Sequence, residues 1–534
     1  MAVRMDLISL QFLLFLVVLL CVYYAVGARA GERQWLVILV ANVAFYSLVG
    51  GLPLFSLVVL MAAVSWGASQ RFGKLTADAK AARKATRDRV ERKAIKQRLV
   101  QRKRVVLWGS IAAMLVVLGY FKYWNTILFN LGLAPSTNSL GIVLPLGISF
   151  YTFISLGYLI DTYNDKFAPE ASFLRYLTFV SFFPQLLQGP INHYDTMAGQ
   201  LAQVHRASWH GMRKGVLRIE LGLIKKVVIA NMLASKAGAI LEKVNPQMSG
   251  AVVLWSMVFY SLQMYGDFSG GIDMVEGVSE LMGIEMDPNF RQPYLATSLS
   301  DFWRRWHMSL GAFMRDYCFY PLAVTKPMQN FGKWAKGKLG THAGRTLPAC
   351  VANIVVFLLV GLWHGAEYHY VAWGLANGFI IAGSDLLAPA FKRLGELLHV
   401  RIESAGYHVF AIIRTFFVVC LCRYFDAIAS VRIGVTALWC TFFNFLPKVA
   451  FTQALADAGI RYAGTLGFQP TVIAACLVVF AIDLFEERGT DVRDAILSWG
   501  HVRRLALQLG CALLIFSALP QTLTGGVSFM YAGL

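Results

Sequence analysis

Apolar residues in this chain come in long runs, several of them broken by polar residues. The first is Leu7–Val26, followed by Trp35–Leu48 and Leu52–Ser69, the last two parted by Gly50-Gly51. A fourth extends from Val105 to Phe129. Ten more cover Ile142–Ile160, Tyr176–Ile191, Val216–Met232, Val252–Tyr265, Ala349–Trp363, Tyr370–Leu387, Val409–Leu421, Ile433–Phe445, Val472–Phe485 and Leu505–Leu519. About 20 apolar residues in a helix cross a hydrocarbon layer of ~30 Å. The pattern predicts an all-α polytopic membrane protein with about 11–14 hydrophobic segments, some too short to cross unaided. Leu7–Val26 has few basic residues before it and no small-residue cleavage site after it, so it reads as a retained first helix.

Composition agrees. Of 534 residues, 57% are hydrophobic and 15% charged, against about 45–50% and ~25% in soluble proteins. The mean hydropathy is +0.56. A water-soluble enzyme around one core and a disordered chain are both excluded.

Charge adds orientation. The net charge is +19, and Arg71–Arg104 alone holds 14 Lys/Arg against 3 Asp/Glu. Between two apolar runs, such a segment reads as cytoplasmic, resting on anionic lipid. Val90, Ile95 and Leu99 give it a thin apolar edge, which predicts a helix lying on the membrane surface. No aromatic residue follows Phe72 within it, which argues against binding nucleic acid. With the N-terminus outside, Arg29 and Arg33 fall on the same cytoplasmic side, and the uncharged Gly132–Gly141 falls outside.

The chemistry-bearing residues cluster in the middle third. Leu186–Pro190 and Tyr265–Asp273 put polar residues and glycines at membrane depth. Irregular backbone there is tolerated only where protein or a wet cavity surrounds it, so this part is expected to line a recess. Asp301-Phe302-Trp303-Arg304-Arg305-Trp306-His307 packs one carboxylate, two guanidiniums, two indoles and an imidazole into seven residues. At helical spacing Trp303, Trp306 and Leu310 share a face, as in an amphipathic helix anchored at headgroup depth. Arg304, Arg305 and Arg315 match phosphate oxygens bidentately, and Asp267 joins them as a candidate substrate-binding residue. Gly361-Leu362-Trp363-His364-Gly365 ends an apolar helix on a histidine. An imidazole there must hydrogen-bond or meet an aqueous pocket, and it can take a hydroxyl proton at neutral pH. No metal-ligand spacing, phosphate loop or nucleophile elbow occurs. Of the eight scattered cysteines nearly all read as small apolar residues, and Cys318, set in the motif region, is assigned no role.

In order along the chain, Phe-Pro-x4-Gly-Pro-Ile, Asp-Phe-Ser-Gly, Asn289-Phe-x-x-Pro-Tyr, Phe-Trp-Arg-Arg-Trp-His, Asp316-Tyr317 with Tyr320-Pro321, and Gly-Leu-Trp-His-Gly resemble the membrane-bound O-acyltransferases. The match is to the bacterial branch that acetylates alginate or transfers D-alanine to teichoic acid. The resemblance covers about Leu140–Gly378. It implies a ring of tilted transmembrane helices around a central funnel. His364 corresponds to the family's principal catalytic residue and His307 to the second histidine of this branch. Two features depart from the pattern: a long basic loop at Lys326–Arg345, and the C-terminal Phe529–Leu534, which is only loosely like the aromatic ending of relatives.

On this resemblance the chain is one integral membrane domain, 1–534. Residues 1–70 hold N-terminal helices, 71–104 the basic segment, 140–378 the motif-bearing core and 379–534 C-terminal helices. The expected activity is O-acyl transfer, with acetyl the first choice, moving the group from a cytosolic thioester across the membrane for O-acylation of an extracytoplasmic cell-surface or exported polysaccharide. His364 would be the base and His307 would polarise or orient the carbonyl, the assignment remaining open between them. Trp303, Trp306 and Trp363 would exclude water. No resident cofactor is expected, and the donor is acetyl-CoA or an acylated phosphopantetheine carrier protein. Expected partners are membrane lipid, a separate extracytoplasmic acyltransferase and polysaccharide export machinery, at the inner membrane. D-alanyl transfer to teichoic acid is the alternative donor chemistry. A lipid or ion transporter, with buried carboxylates and histidines as its ion path, is the rival of a different class.

Overall fold

A computed structural model describes residues 7–136, 139–446 and 470–525, and these are helical almost throughout, with no strand among them. The C-terminal Phe529–Leu534 lies outside the described residues. Six helical stretches are long and apolar enough to cross a membrane, or seven when the bent pair Tyr368–Leu386 and Ala388–Leu397 counts as one span. That is fewer than the apolar runs of the sequence, because several runs form short buried helices. The chain divides into two compact units.

The first unit gathers residues up to Ile219 together with Met274–Asp287. Helices α1 (Leu10–Ala30) and α2 (Gln34–Val49) are joined at Gly31, whose φ of 39° makes the turn. They return side by side, Phe12 meeting Phe45 edge-on at 6.2 Å. Helices α3 (Leu52–Ala85) and α4 (Arg89–Asn130) follow. The basic segment is not a separate surface helix. It is the continuation of α3 and the beginning of α4, with Asp88 capping α4 through the amide N–H groups of Val90 and Glu91. At 42 residues, α4 is about 60 Å long, twice the hydrocarbon thickness. Uninterrupted helix formers carry both helices past the apolar stretch, so the charges line a helical hairpin. Only Lys103 turns inward, onto Asp165 at 3.0 Å and over the rings of Phe72 and Tyr163.

The Phe-Pro-x4-Gly-Pro-Ile motif is buried in this unit. Phe183 closes an aromatic cluster with Phe15 at 5.5 Å and Phe45 at 5.1 Å. Asn42 donates to the Thr178 carbonyl and accepts from the Phe183 N–H. The Gln185 amide serves the Phe179 carbonyl and takes a hydrogen bond from Asn192. Protein thus surrounds the irregular backbone at Leu186–Pro190, as its polarity demanded.

The second unit comprises Glu220–Asp273 and the described residues from Pro288 onward. Here the Tyr265–Asp273 glycines do something other than break a helix. They lie inside one continuous helix, α5 (Gly250–Leu281), which starts in this unit. Side chains at Gly266 and Gly270 would collide with the backbone of the π-helical turn Ile224–Ala230. The close approach seats two buried ion pairs, Lys225 with Asp273 at 2.7 Å and Lys226 with Asp267.

The supposed basic loop at Lys326–Arg345 is helical. It opens α6 (Lys326–His364), which folds back at Gly340, where φ is 91°. The two arms are held by small residues, Gly332 against Gly344 and Pro348, and Gly344 against Lys336. The second arm then runs to His364 and packs on α7 (Tyr368–Leu386). Gly361 and Gly374 face backbone of the partner helix with no room for a Cβ, and Gly378 leaves only tight space against Ile354. Small residues at such crossings let membrane helices approach closely.

Candidate active site

His364 is the last residue of α6, half-buried. Its ring sits between aromatic neighbours: edge-on to Trp363 at 4.8 Å, edge-on to Trp373 at 4.9 Å, and stacked on Tyr370 at 5.7 Å. Gly365 follows because a side chain there would strike the Tyr370 ring at 2.7 Å and the Glu367 carboxylate. The Trp-His-Gly motif is therefore a helix end whose reversal into α7 is tight enough to fix the imidazole. His369 serves elsewhere, its Nδ1 hydrogen-bonding the Phe425 carbonyl at 2.8 Å.

His307 is placed by a break that helical spacing did not anticipate. The helix Leu299–Arg305 stops, Trp306 is extended, and His307 takes left-handed φ/ψ of 48° and 54° before Met308–Met314 begins. Trp303, Trp306 and Leu310 therefore do not form one continuous helical face. Histidine is among the few non-glycine residues enriched in that conformation. A two-strand-like contact holds the break: the Arg291 N–H donates to the Arg305 carbonyl at 3.0 Å, and the Met308 N–H to the Asn289 carbonyl at 2.9 Å.

The result is an imidazole only 3% exposed. It meets Phe268 edge-on at 4.8 Å and Trp363 at 5.8 Å. Burial alone pushes its pKa down, from 6.5 to about 3, because a charge in an apolar site loses its hydration. His307 is neutral at physiological pH. The indole of Trp363 touches both histidines, which brings together residues 57 positions apart in sequence.

The other expected site residues separate into wall and surface. Trp303 donates from Nε1 to Asn377 at 3.1 Å and packs on Trp373 at 5.5 Å, so it reaches the His364 wall through Trp373. Trp306 is buried, with Phe302 stacked on it at 5.4 Å and the Arg423 guanidinium over it at 4.7 Å. Arg304 is exposed, 3.7 Å from Asp301. Arg305 is spent on Asp301 at 3.1 Å and Glu487 at 2.7 Å, and Arg315 on Asp316 at 2.8 Å. Asp267 lies in the buried pair with Lys226. Spacing gave no sign of Trp373, Tyr370 and Asn377, which reach the histidine wall only through the α6–α7 packing.

For metals, one group among the described residues has suitable atoms: Asp161, His193 and Asp195, with ligand atoms within 4.8 Å of one another. The Lys166 ammonium already bridges both carboxylates, at 3.2 and 2.8 Å, and stands where a cation would bind.

Comparison with known proteins extends the description. Residues 165–336 match the profile of MBOAT, the membrane-bound O-acyltransferase family. That stretch includes His307 and stops short of His364. The chain is 35% identical over 283 residues to a probable alginate O-acetylase, AlgI, of Pseudomonas aeruginosa, covering 51% of this chain and 50% of the relative. It is 32% identical over 308 residues to the peptidoglycan O-acetyltransferase of Helicobacter pylori, with 52% and 55% covered. Against the teichoic acid D-alanyltransferase of Bacillus subtilis it is 26% identical over 319 residues, with 59% and 76% covered. The chain spans about half the length of the first two. Residues 165–336, which include His307, thus resemble the membrane-bound O-acyltransferase family.

Proposed function

We propose that this chain transfers an acyl group, acetyl in the first instance, from a cytosolic thioester to a hydroxyl serving the cell surface, moving it across the membrane for O-acylation of an extracytoplasmic polysaccharide. One observation carries the reading: His307 and His364 lie against the same indole, one fully buried and one half-buried. An imidazole takes the proton of the acceptor hydroxyl as its oxygen attacks the thioester carbonyl. The C–S bond then breaks and the proton passes to the departing thiolate. The aromatic wall of Trp363, Trp373 and Tyr370 limits access of water, which would otherwise hydrolyse the thioester.

Acetyl is favoured by relatives named for O-acetylation, at 35% and 32% identity. D-alanyl transfer from a charged carrier protein is the second reading, supported by the D-alanyltransferase relative. The transport reading loses support, because Asp267 and Asp273 are each neutralised by a lysine. The reaction calls for membrane lipid around the chain, residence in the inner membrane, and separate proteins that deliver the group to the polymer.

The test feeds membranes holding wild-type or His364→Ala protein with labelled acetyl-CoA or, separately, charged carrier protein. Transfer from acetyl-CoA alone, reduced by ~10²–10⁴ in the variant, is expected. Wild-type turnover by the variant overturns the proposal, and transfer from the carrier alone selects the second reading.

A further inference from the structure

Asn289 lies 18 residues before His307, yet its side-chain oxygen is the hub of the buried histidine's surroundings. Oδ1 receives three hydrogen bonds: from His307 Nδ1 at 3.0 Å, from the Ser309 backbone N–H at 3.2 Å, and from the Ser309 hydroxyl at 2.9 Å. The backbone N–H can only donate, which settles which end of the amide faces this way. Turned over, the Asn289 NH₂ would oppose a fixed donor. The opposite atom, Nδ2, is buried with no hydrogen-bond partner among the described residues. Leaving a buried donor unmet is costly, so the orientation is kept against a penalty.

The consequence concerns the proton on the ring. An amide oxygen accepts and cannot donate. The neutral imidazole therefore carries its hydrogen on Nδ1, and Nε2 holds the lone pair. The Asn289 amide oxygen faces the ring at Nδ1 and is itself held by the Ser309 hydroxyl, while Phe268 and Trp363 pack against the ring. Desolvation governs its proton affinity.

We infer that Asn289 is a positioning residue that locks His307 as the Nδ1–H tautomer, so that His307 presents an acceptor to substrate and receives an O–H donor instead of polarising the thioester carbonyl. This rests on the acyl-transfer reading for what His307 receives, though not for the tautomer. It reverses the role expected from resemblance. A carbonyl oxygen would need a donor at Nε2, and the Asn289 hydrogen bond removes that option. The group that meets His307 is the acceptor hydroxyl, and carbonyl polarisation falls to other donors.

Two measurements test this, one without catalysis. Full-length protein in lipid, labelled with ring-¹⁵N histidine and assigned by its His307→Gln variant, is expected to show a protonated Nδ1 and a bare Nε2 at neutral pH. A protonated Nε2 with bare Nδ1 overturns the assignment whether or not the protein transfers acyl groups. The second is the pH dependence of transfer by Asn289→Asp. A carboxylate at Oδ1 keeps the hydrogen bond but stabilises the imidazolium, raising the His307 pKa. Its acid limb should rise into the range between pH 5 and 8, with kcat falling at low pH and KM unchanged. Asn289→Ala, confirmed folded by its thermal transition, should lose tenfold or more in kcat at every pH. An Asn289→Asp profile superimposable on wild type overturns the positioning role. If wild type transfers nothing while the ring nitrogens are as stated, the acyl-transfer reading fails and the tautomer stands.

Discussion

At the scale of single residues, the proposed site rests on two histidines with contrasting surroundings. His307 is sealed from water and neutral. His364 is half-buried at a helix end and caged by Trp363, Trp373 and Tyr370. A low-basicity imidazole is suited to accept a hydrogen bond, whereas the wetter one is better placed to take up and release a proton. Gly365 sets the cage, since a methyl group there would meet the Tyr370 ring at 2.7 Å. Gly365→Ala should strain the reversal by about 1–3 kcal/mol and lower acyl transfer tenfold or more at unchanged protein level in membranes, read by the labelled-acetyl assay. The exposed Arg304 gives a contrast. Arg304→Ala should leave stability unchanged within about 0.5 kcal/mol, and any loss of activity would appear in the donor KM.

At the scale of elements, glycine decides how closely the helices come together. Gly361, Gly374 and Gly378 let α6 and α7 meet backbone to backbone, and that contact carries Trp373 and Tyr370 to His364. Gly374→Ala should lower the thermal transition in detergent and disturb the His364 cage, giving a joint loss of stability and turnover. Beneath the site, Gly266 and Gly270 admit the π-helical turn that brings Lys225 and Lys226 to their carboxylates. Removing one partner of a buried pair costs about 3–5 kcal/mol, whereas replacing both with apolar residues is often neutral. Lys225→Met should accordingly destabilise the protein, and Lys225→Met with Asp273→Leu should recover much of the loss, as measured by the thermal transition of the two variants.

For the molecule as a whole, charge is concentrated on the α3–α4 hairpin, whose helices continue well beyond their apolar parts. The positive-inside rule assigns that hairpin to the cytosol. A cysteine at Lys80, in a chain lacking the exposed Cys21, should resist an impermeant maleimide in intact spheroplasts and react in inverted membranes. A cysteine at Leu133, in the uncharged segment after α4, should show the reverse. Labelling of Lys80→Cys from outside would invert the orientation assigned to this hairpin.

Much of this was open to a reader of the sequence. Runs such as Leu7–Val26 and Ala349–Trp363 announced a helical membrane protein, because hydrocarbon demands internally satisfied backbone over a fixed length. The ordered motifs announced His307 and His364, because composition near a site survives as a local string. Other features depended on contacts between segments remote in sequence. Whether Arg71–Arg104 lay along a surface or extended two helices, whether Lys326–Arg345 was a loop or a folded-back helix, and that Asp267 was held by Lys226 were all decided by packing. So was the bond from His307 to Asn289, for a hydrogen bond depends on atoms a few ångströms apart and spacing along the chain does not encode that distance. The amino-acid string settled the solvent and proposed the chemical cast. Tertiary contact settled which nitrogen holds the proton.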